Sequence, residues 1–281
     1  MSIFDAETAV EPVGDEGSGR WCGHVHPLWN IGDNPNGGYL VSIALAALSN
    51  VSPHADPVSV TTHFLRPGTQ GADAEVTTDI VRSGRSITTA RATLTQDGRA
   101  RIELLAAFTD LERTDDMAPA AEMAPAAEMA PAVEMAPAMP VVPSPEQCLE
   151  RSGLEQGIDL PILDRVDVLI HPDQARAGQA GEATVSGWIR LADGAAPDTR
   201  SLVLFADAFP PSLFGALGMV GWVPTVELTV HIRRRPAPGW IRGRLTTNDL
   251  HDGRMIEDGT LWDETGALVA QSRQLGLLLP R

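Results

Sequence analysis

Asn34-Pro35-Asn36-Gly37-Gly38-Tyr39-Leu40-Val41-Ser42-Ile43-Ala44-Leu45-Ala46-Ala47-Leu48 is the stretch on which the fold turns. Tyr39, Leu40, Ile43, Ala44, Ala47 and Leu48 fall on one helical stripe after the glycine pair. The segment carries no charge on any face, which predicts a helix buried nearly all round. A strand near 20–25 precedes it. Segments 57–66, 73–83, 86–96 and 100–109 follow, rich in Val, Ile and Thr, with Gly84 and Asp97-Gly98 marking turns. One long helix followed by a run of antiparallel strands implies a sheet wrapped on that helix.

The same order recurs further along the chain. Val60-Thr61-Thr62-His63-Phe64-Leu65-Arg66-Pro67 resembles Leu228-Thr229-Val230-His231-Ile232-Arg233-Arg234 at an offset of 168. Thr77-Thr78-Asp79 with Gly84-Arg85 matches Thr246-Thr247-Asn248 with Gly253-Arg254 at 169, and Trp21 and Trp188 stand 167 apart. The turn Asp97-Gly98 is echoed by Thr265-Gly266. Four matches in one order at nearly one offset indicate two copies of a module. The second copy then predicts strands near 163–171 and 183–191, a helix over 199–217, and strands near 224–235, 240–249, 255–263 and 267–279. The chain divides into an acidic segment 1–19, a module 20–110, a connection 111–147 and a module 148–281. The connection repeats Met-Ala-Pro-Ala-Ala-Glu from Met117 with a six-residue period that suits neither heptad nor strand. Its prolines resist a helix, so it reads as a semi-rigid linker without chemistry.

Composition removes several classes of function. The 281 residues carry 21 basic and 37 acidic side chains, a net charge of -16, which argues against nucleic acid as a partner. All the basic side chains are arginine; without lysine there is no Schiff base and no phosphate-loop lysine. No apolar run reaches the roughly 18 residues of a membrane helix, and the acidic start is no secretory signal, so a cytoplasmic protein with no membrane partner is expected. Cys22 and Cys148 make no disulfide framework, and the seven histidines show no metal spacing; no metal and no cofactor are expected. A Gly-x-Ser-x-Gly elbow and a Gly-x-Gly-x-x-Gly fingerprint are both missing from the sequence.

Asp207 is the sharpest single residue. It is the sole carboxylate between Ser201 and Val226, it follows five apolar residues, and the first module's helix has no carboxylate. Apolar surroundings disfavour its ionised form and raise its pKa, as suits a water-activating base. The plain alternative is a helix-end aspartate reaching solvent. Asn36, Gly37 and Gly38 place free amides at a helix start, where an oxyanion can be held; the plain reading is an N-cap with tight packing. Arg233-Arg234-Arg235 points to both faces of a strand and reads first as a solvated edge.

The helix entry Asn34 to Gly38, the strand ending Phe64-Leu65-Arg66-Pro67-Gly68, and Ser83-Gly84-Arg85-Ser86 together resemble the acyl-CoA thioesterase II family, whose members are double hotdogs. The resemblance implies an α+β fold of two fused hotdog modules, each an antiparallel sheet around a long central helix. It implies a hydrolase cleaving acyl-CoA to free acid and coenzyme A, acting in lipid metabolism. The family's aspartate, threonine and glutamine fall on Asp207, Thr225 and Gln274, in Pro224-Thr225-Val226-Glu227 and Ala270-Gln271-Ser272-Arg273-Gln274. They would activate and orient the water, while amides of Asn36, Gly37, Gly38 and Tyr39 would face Asp207 and bind the oxyanion or substrate. Tyr39, Leu40, Phe205, Phe209 and Phe214 would wall the acyl path. Arg82, Arg85, Arg233 and Arg235 are the candidates for coenzyme A phosphates. The sequence departs from the family pattern at Glu227, where an aspartate followed by histidine is expected, and in the compact 208–224 connection. Pairing of double hotdogs into a homodimer or another homo-oligomer follows from the fold. The alternatives are a non-catalytic acyl-CoA-binding hotdog protein and, with less support, a hotdog enoyl-CoA hydratase, which would need an aspartate–histidine pair.

Overall fold

The computed structural model describes residues 1–15, 17–111, 136–218 and 223–279. The repeat expected to act as a linker, from Met117 to Glu134, lies outside the described residues. A short helix α1 (Ile3–Glu7) and strands β1 (Val10–Pro12), β2 (Arg20–Val25), β3 (Asn30–Ile31) and β4 (Asn34–Pro35) lead into the long helix α2 (Gly37–Val51). Strands β5 (Asp56–Phe64), β6 (Ala72–Ser83), β7 (Thr88–Gln96) and β8 (Arg99–Thr109) complete the first half. The second half holds β9 (Leu149–Glu150), α3 (Gly153–Gln156), β10 (Val166–Ile170), β11 (Thr184–Leu191), α4 (Ser201–Ala206) and α5 (Leu213–Leu217). It ends with β12 (Thr225–Ile232), β13 (Ile241–His251), β14 (Arg254–Trp262) and β15 (Leu268–Leu277).

The sequence repeat becomes a single antiparallel sheet. Its order is β1-β2-β6-β7-β8-β5-β12-β15-β14-β13-β11-β10-β9. Read outward from the β5–β12 junction, the two sides match strand for strand: β8 with β15, β7 with β14, β6 with β13, β2 with β11. The offset of 168 carries Thr61 onto Thr229, and these two pair directly across the junction, their hydroxyl oxygens 3.0 Å apart. The pseudo-twofold axis of the tandem hotdog passes between them.

Helix α2 is buried from Gly38 to Leu48, as its charge-free sequence requires. Asn36 caps it, its Oδ1 accepting the Tyr39 N–H at 2.9 Å. The helix expected over 199–217 is not continuous. It stops at Ala206 and resumes at Leu213, because Pro210 and Pro211 supply no N–H to carry the ladder through. Helices α2 and α4 cross at backbone contact. A Cβ on Gly38 would stand 2.9 Å from Leu204 Cα and 3.0 Å from the Val203 carbonyl oxygen.

Elements from both halves tie the body together. The N-terminal segment packs onto it: Phe4 is buried edge-on against Trp29, and Glu7 takes both Arg165 Nε–H and Nη2–H, at 2.7 and 2.8 Å. Asp56 of the first half is buried. It accepts from Arg235 (2.9 to 3.2 Å) and from the Thr199 hydroxyl of the second half, and from the Leu111 N–H of its own. Asp56→Ala removes this shared acceptor from both halves. It should lower stability by about 2 kcal/mol, measured by urea unfolding, with Arg235→Ala milder because that side chain is 42% exposed. Among the described residues no helix is long and apolar enough to cross a membrane. No group of three or more His, Cys, Asp or Glu among them could hold a metal ion.

Candidate active site

Asp207 caps the C-terminus of α4 at the point where the proline pair breaks the chain away from helical geometry. That places its carboxylate at the N-terminus of α2. Its Oδ2 accepts the Gly38 N–H at 2.8 Å and the Asn36 Nδ2–H at 2.9 Å, and Asn36 Nδ2 also donates to the Asp207 backbone oxygen. One asparagine thus caps α2 with its oxygen and holds the end of α4 with its nitrogen. The carboxylate meets the positive end of a helix dipole, which favours ionisation. Burial opposes it more strongly and pushes the carboxyl up to about 6, against the pull of the Gly38, Asn36 and Gly37 amides and the Arg151 guanidinium. Arg151 is itself buried, donates to the Ala208 carbonyl oxygen at 2.7 Å, and is drawn down by burial to about 10, so it stays a cation at neutral pH.

Asp207 opens onto a cavity of about 550 Å³ between the helix crossing and the sheet. Thr225 at the start of β12 and Gln274 on β15 line the same cavity, and Gln274 Nε2 donates to Thr225 Oγ1 at 2.5 Å. The three side chains come from one helix end and two neighbouring strands, far apart in sequence. Leu40, Phe64, Phe209, Phe214, Leu245 and Met255 supply apolar wall, and Arg66 also lines the cavity. Glu257 lies there too, a second buried carboxylate; the sequence reading missed it because a glutamate in a strand gives no periodic signal. Gly243 makes room for this wall, since a Cβ there would meet the Phe209 ring at 2.6 Å.

Other expected site residues lie differently. The Gly38 amide is engaged by Asp207, the Tyr39 amide by Asn36 Oδ1 and the Leu40 amide by the Asn36 carbonyl. The helix start therefore faces the Asp207 carboxylate, and these three amides are already engaged within the protein. Tyr39 is fully buried away from the cavity. Its ring stacks on Trp29 at 5.0 Å and its hydroxyl donates to the Glu7 carbonyl oxygen at 2.7 Å. Phe205 is likewise core, with no surface on the cavity. Arg82 and Arg85 are exposed around the β6–β7 turn. Arg233 lies just past the far end of β12, about 25 Å along the strand from Thr225, and Arg235 is bound to Asp56. None of these four arginines lines the cavity; Arg66 and Arg151 do.

The first half holds no second copy of this site. At the offset of 168, Thr225 and Gln274 correspond to Pro57 and Ala106, and Asp207 to the core residue Tyr39. Duplication preserved the scaffold and left the polar set on one side of the axis.

Comparisons with known proteins agree with this architecture. A family model for the acyl-CoA thioesterase N-terminal domain matches residues 25–109, and one for the acyl-CoA thioesterase C-terminal domain matches residues 145–278. A thioesterase II candidate from Thermobifida fusca is 32% identical, with a TM-score of 0.80 over 99% of this chain and 98% of that one. A hotdog-fold protein of unknown function from Alicyclobacillus acidocaldarius superposes with a TM-score of 0.81 at 21% identity, over 100% of this chain and 99% of that one. An uncharacterized protein of Mycobacterium tuberculosis is 29% identical over 99% of this chain and 98% of its own length.

Proposed function

Because the chain belongs to the acyl-CoA thioesterase family, we propose that it hydrolyses acyl-CoA thioesters by direct attack of water, with Asp207 as the base. The observation that carries this reading is the carboxylate clamped at the α2–α4 crossing in a largely apolar cavity that the hydrogen-bonded Thr225–Gln274 pair also lines. A base poised near pH 6 is ionised at neutral pH and still basic enough to draw a proton from water. A thioester is an activated acyl donor, so no covalent nucleophile is required.

In the proposed step, the water oxygen bonds to the carbonyl carbon while one of its protons passes to Asp207. The carbonyl π electrons move to oxygen. Collapse of this intermediate breaks the C–S bond, and Asp207 returns its proton to the sulfur, giving the acid and coenzyme A. Gln274 Nε2 has two N–H groups, and only one is used on Thr225. The second N–H, with the Thr225 hydroxyl proton, supplies donors for the water and the developing oxyanion, in place of the α2 amides. Asp207 then acts as acceptor and the strand pair as donors.

The test is release of coenzyme A from a panel of acyl-CoA thioesters. The logarithm of kcat/KM should rise with unit slope up to pH about 6 and then level, as Asp207 ionises. Gln274→Ala should lower kcat roughly a hundredfold and Thr225→Val about tenfold, as expected for lost oxyanion donors. No release from any thioester, with retained binding of coenzyme A, would favour the acyl-CoA-binding reading. A hydratase is the weaker alternative, since no histidine is among the described residues lining the cavity.

A further inference from the structure

One row of inward-facing side chains differs in character at three of its four positions between the two halves. In the first half, the row across β6, β7, β8 and β5 is Ile80, Ala90, Ala106 and Val60. The matching row across β13, β14, β15 and β12 is Thr247, Glu257, Gln274 and Leu228. The register pairs Glu257 directly with Gln274 just as Ala90 pairs with Ala106. Three small or apolar residues on one side of the axis are thus three polar ones on the other, and the polar row is the one beside Asp207.

The polar row is tied together. Glu257 Oε2 accepts the Ser212 N–H at 2.7 Å, and the Ser212 and Thr247 hydroxyls bond at 2.8 Å. Glu257 is buried and lines the cavity among Phe209, Phe214, Leu245 and Met255. A carboxyl in such surroundings is unfavourable for folding, and the first half shows that the sheet accepts alanine at this position. Burial, with the charge of Asp207, holds the Glu257 carboxyl above the usual range. Its place is one strand spacing, about 4.8 Å, from Gln274. An acyl chain bound in this cavity with its carbonyl at Gln274 would have Glu257 within reach of its first carbons.

We propose that Glu257 is a specificity-determining residue that favours acyl groups bearing a hydrogen-bond-accepting oxygen, a hydroxyl or a keto group, within about four carbons of the thioester carbonyl. The inference rests on the thioesterase reading for its reaction, while the ligand preference itself is a binding property and is testable without turnover.

The experiment compares a plain straight-chain acyl-CoA with its 3-hydroxy and 3-oxo derivatives of equal length, in wild type, Glu257→Gln and Glu257→Met. Two readouts are taken: kcat/KM for the thioesters, and Kd for their non-hydrolysable thioether analogues. Wild type should prefer the oxygenated compounds by about tenfold, the effect of one buried hydrogen bond. Glu257→Gln retains a donor and should keep the preference within about threefold; Glu257→Met should abolish it. A purely structural role would weaken plain and oxygenated compounds alike. An unchanged ratio in Glu257→Met, or no preference in wild type, overturns the proposal. If wild type hydrolyses none of the thioesters, the thioesterase reading fails, and the Kd ratios still decide the role of Glu257. Should Glu257→Met not fold, loss of the preference in the near-isosteric Glu257→Gln would overturn the donor assignment.

Discussion

Asp207→Asn is expected to lower kcat for acyl-CoA hydrolysis by roughly 100- to 10,000-fold, the range for removing a positioned general base, and at the same time to stabilise the protein above pH about 6. The amide keeps the acceptor oxygen for Gly38 N–H and Asn36 Nδ2–H, so the helix crossing is preserved. What is lost is the charge to which the proposed mechanism assigns the proton of water. The stability effect follows from linkage. In the unfolded chain the Asp207 carboxyl ionises near 3.8, in the folded protein near 6, so between these values the native state holds more protons. Stability contributed by this group is therefore present below pH 4 and is lost as pH rises through 6, by about 3 kcal/mol in all. The asparagine variant is free of that loss. Its Tm should match wild type near pH 4 and exceed it by on the order of 5 °C at pH 8. Equal Tm differences at both pH values would show that burial does not strain Asp207; unchanged kcat would move the base elsewhere.

Gly38→Ala should damage fold and site together. The new methyl would stand 2.9 Å from Leu204 Cα, 3.0 Å from the Val203 carbonyl oxygen and 3.1 Å from Asp207 Cβ. Two of these three are backbone atoms, so relief requires the helices to separate. Overpacking of this kind is expected to remove about 2 kcal/mol of stability, despite the better helix propensity of alanine. Because the Gly38 N–H holds Asp207 Oδ2, separation also displaces the proposed base, and kcat should fall about a hundredfold. Gly37→Ala is the control. Its methyl would meet the Phe64 ring at 2.7 Å and Asp207 Oδ2 at 3.0 Å, side-chain atoms with no backbone atom among them, so its loss of stability should be smaller. Calorimetry and initial rates on the two variants check the contrast; equal losses would mean that backbone contact at the crossing is not what fixes glycine at 38.

Much of this architecture was legible beforehand because it rests on local pattern. The charge-free run from Tyr39 to Leu48 could only be a buried helix, and the alternating segments around it emerged as strands within a few residues of their expected ends. The helix expected over 199–217 went wrong at Pro210-Pro211, where tandem hydropathy outweighed the missing N–H groups. Asp207 stood out as a lone carboxylate in an apolar segment. Thr225 and Gln274 did not stand out by themselves; they were named through family resemblance, and folding brings both to the cavity of Asp207. The arginine candidates were chosen by charge alone, and charge carries no information about position. That is why Arg235 serves Asp56, while Arg66 and Arg151 line the cavity instead.

By itself the sequence determined the elements, the duplication and the buried helix, since hydrophobic period and repeat offset are properties of the chain as written. Only the tertiary structure decided which groups meet. The register that sets Glu257 against Gln274, and the crossing that aims the Gly38 amide at Asp207, join residues 17 and 169 positions apart. Such contacts depend on how strands slide and helices cross, and those choices are made by packing, which no local stretch of sequence encodes.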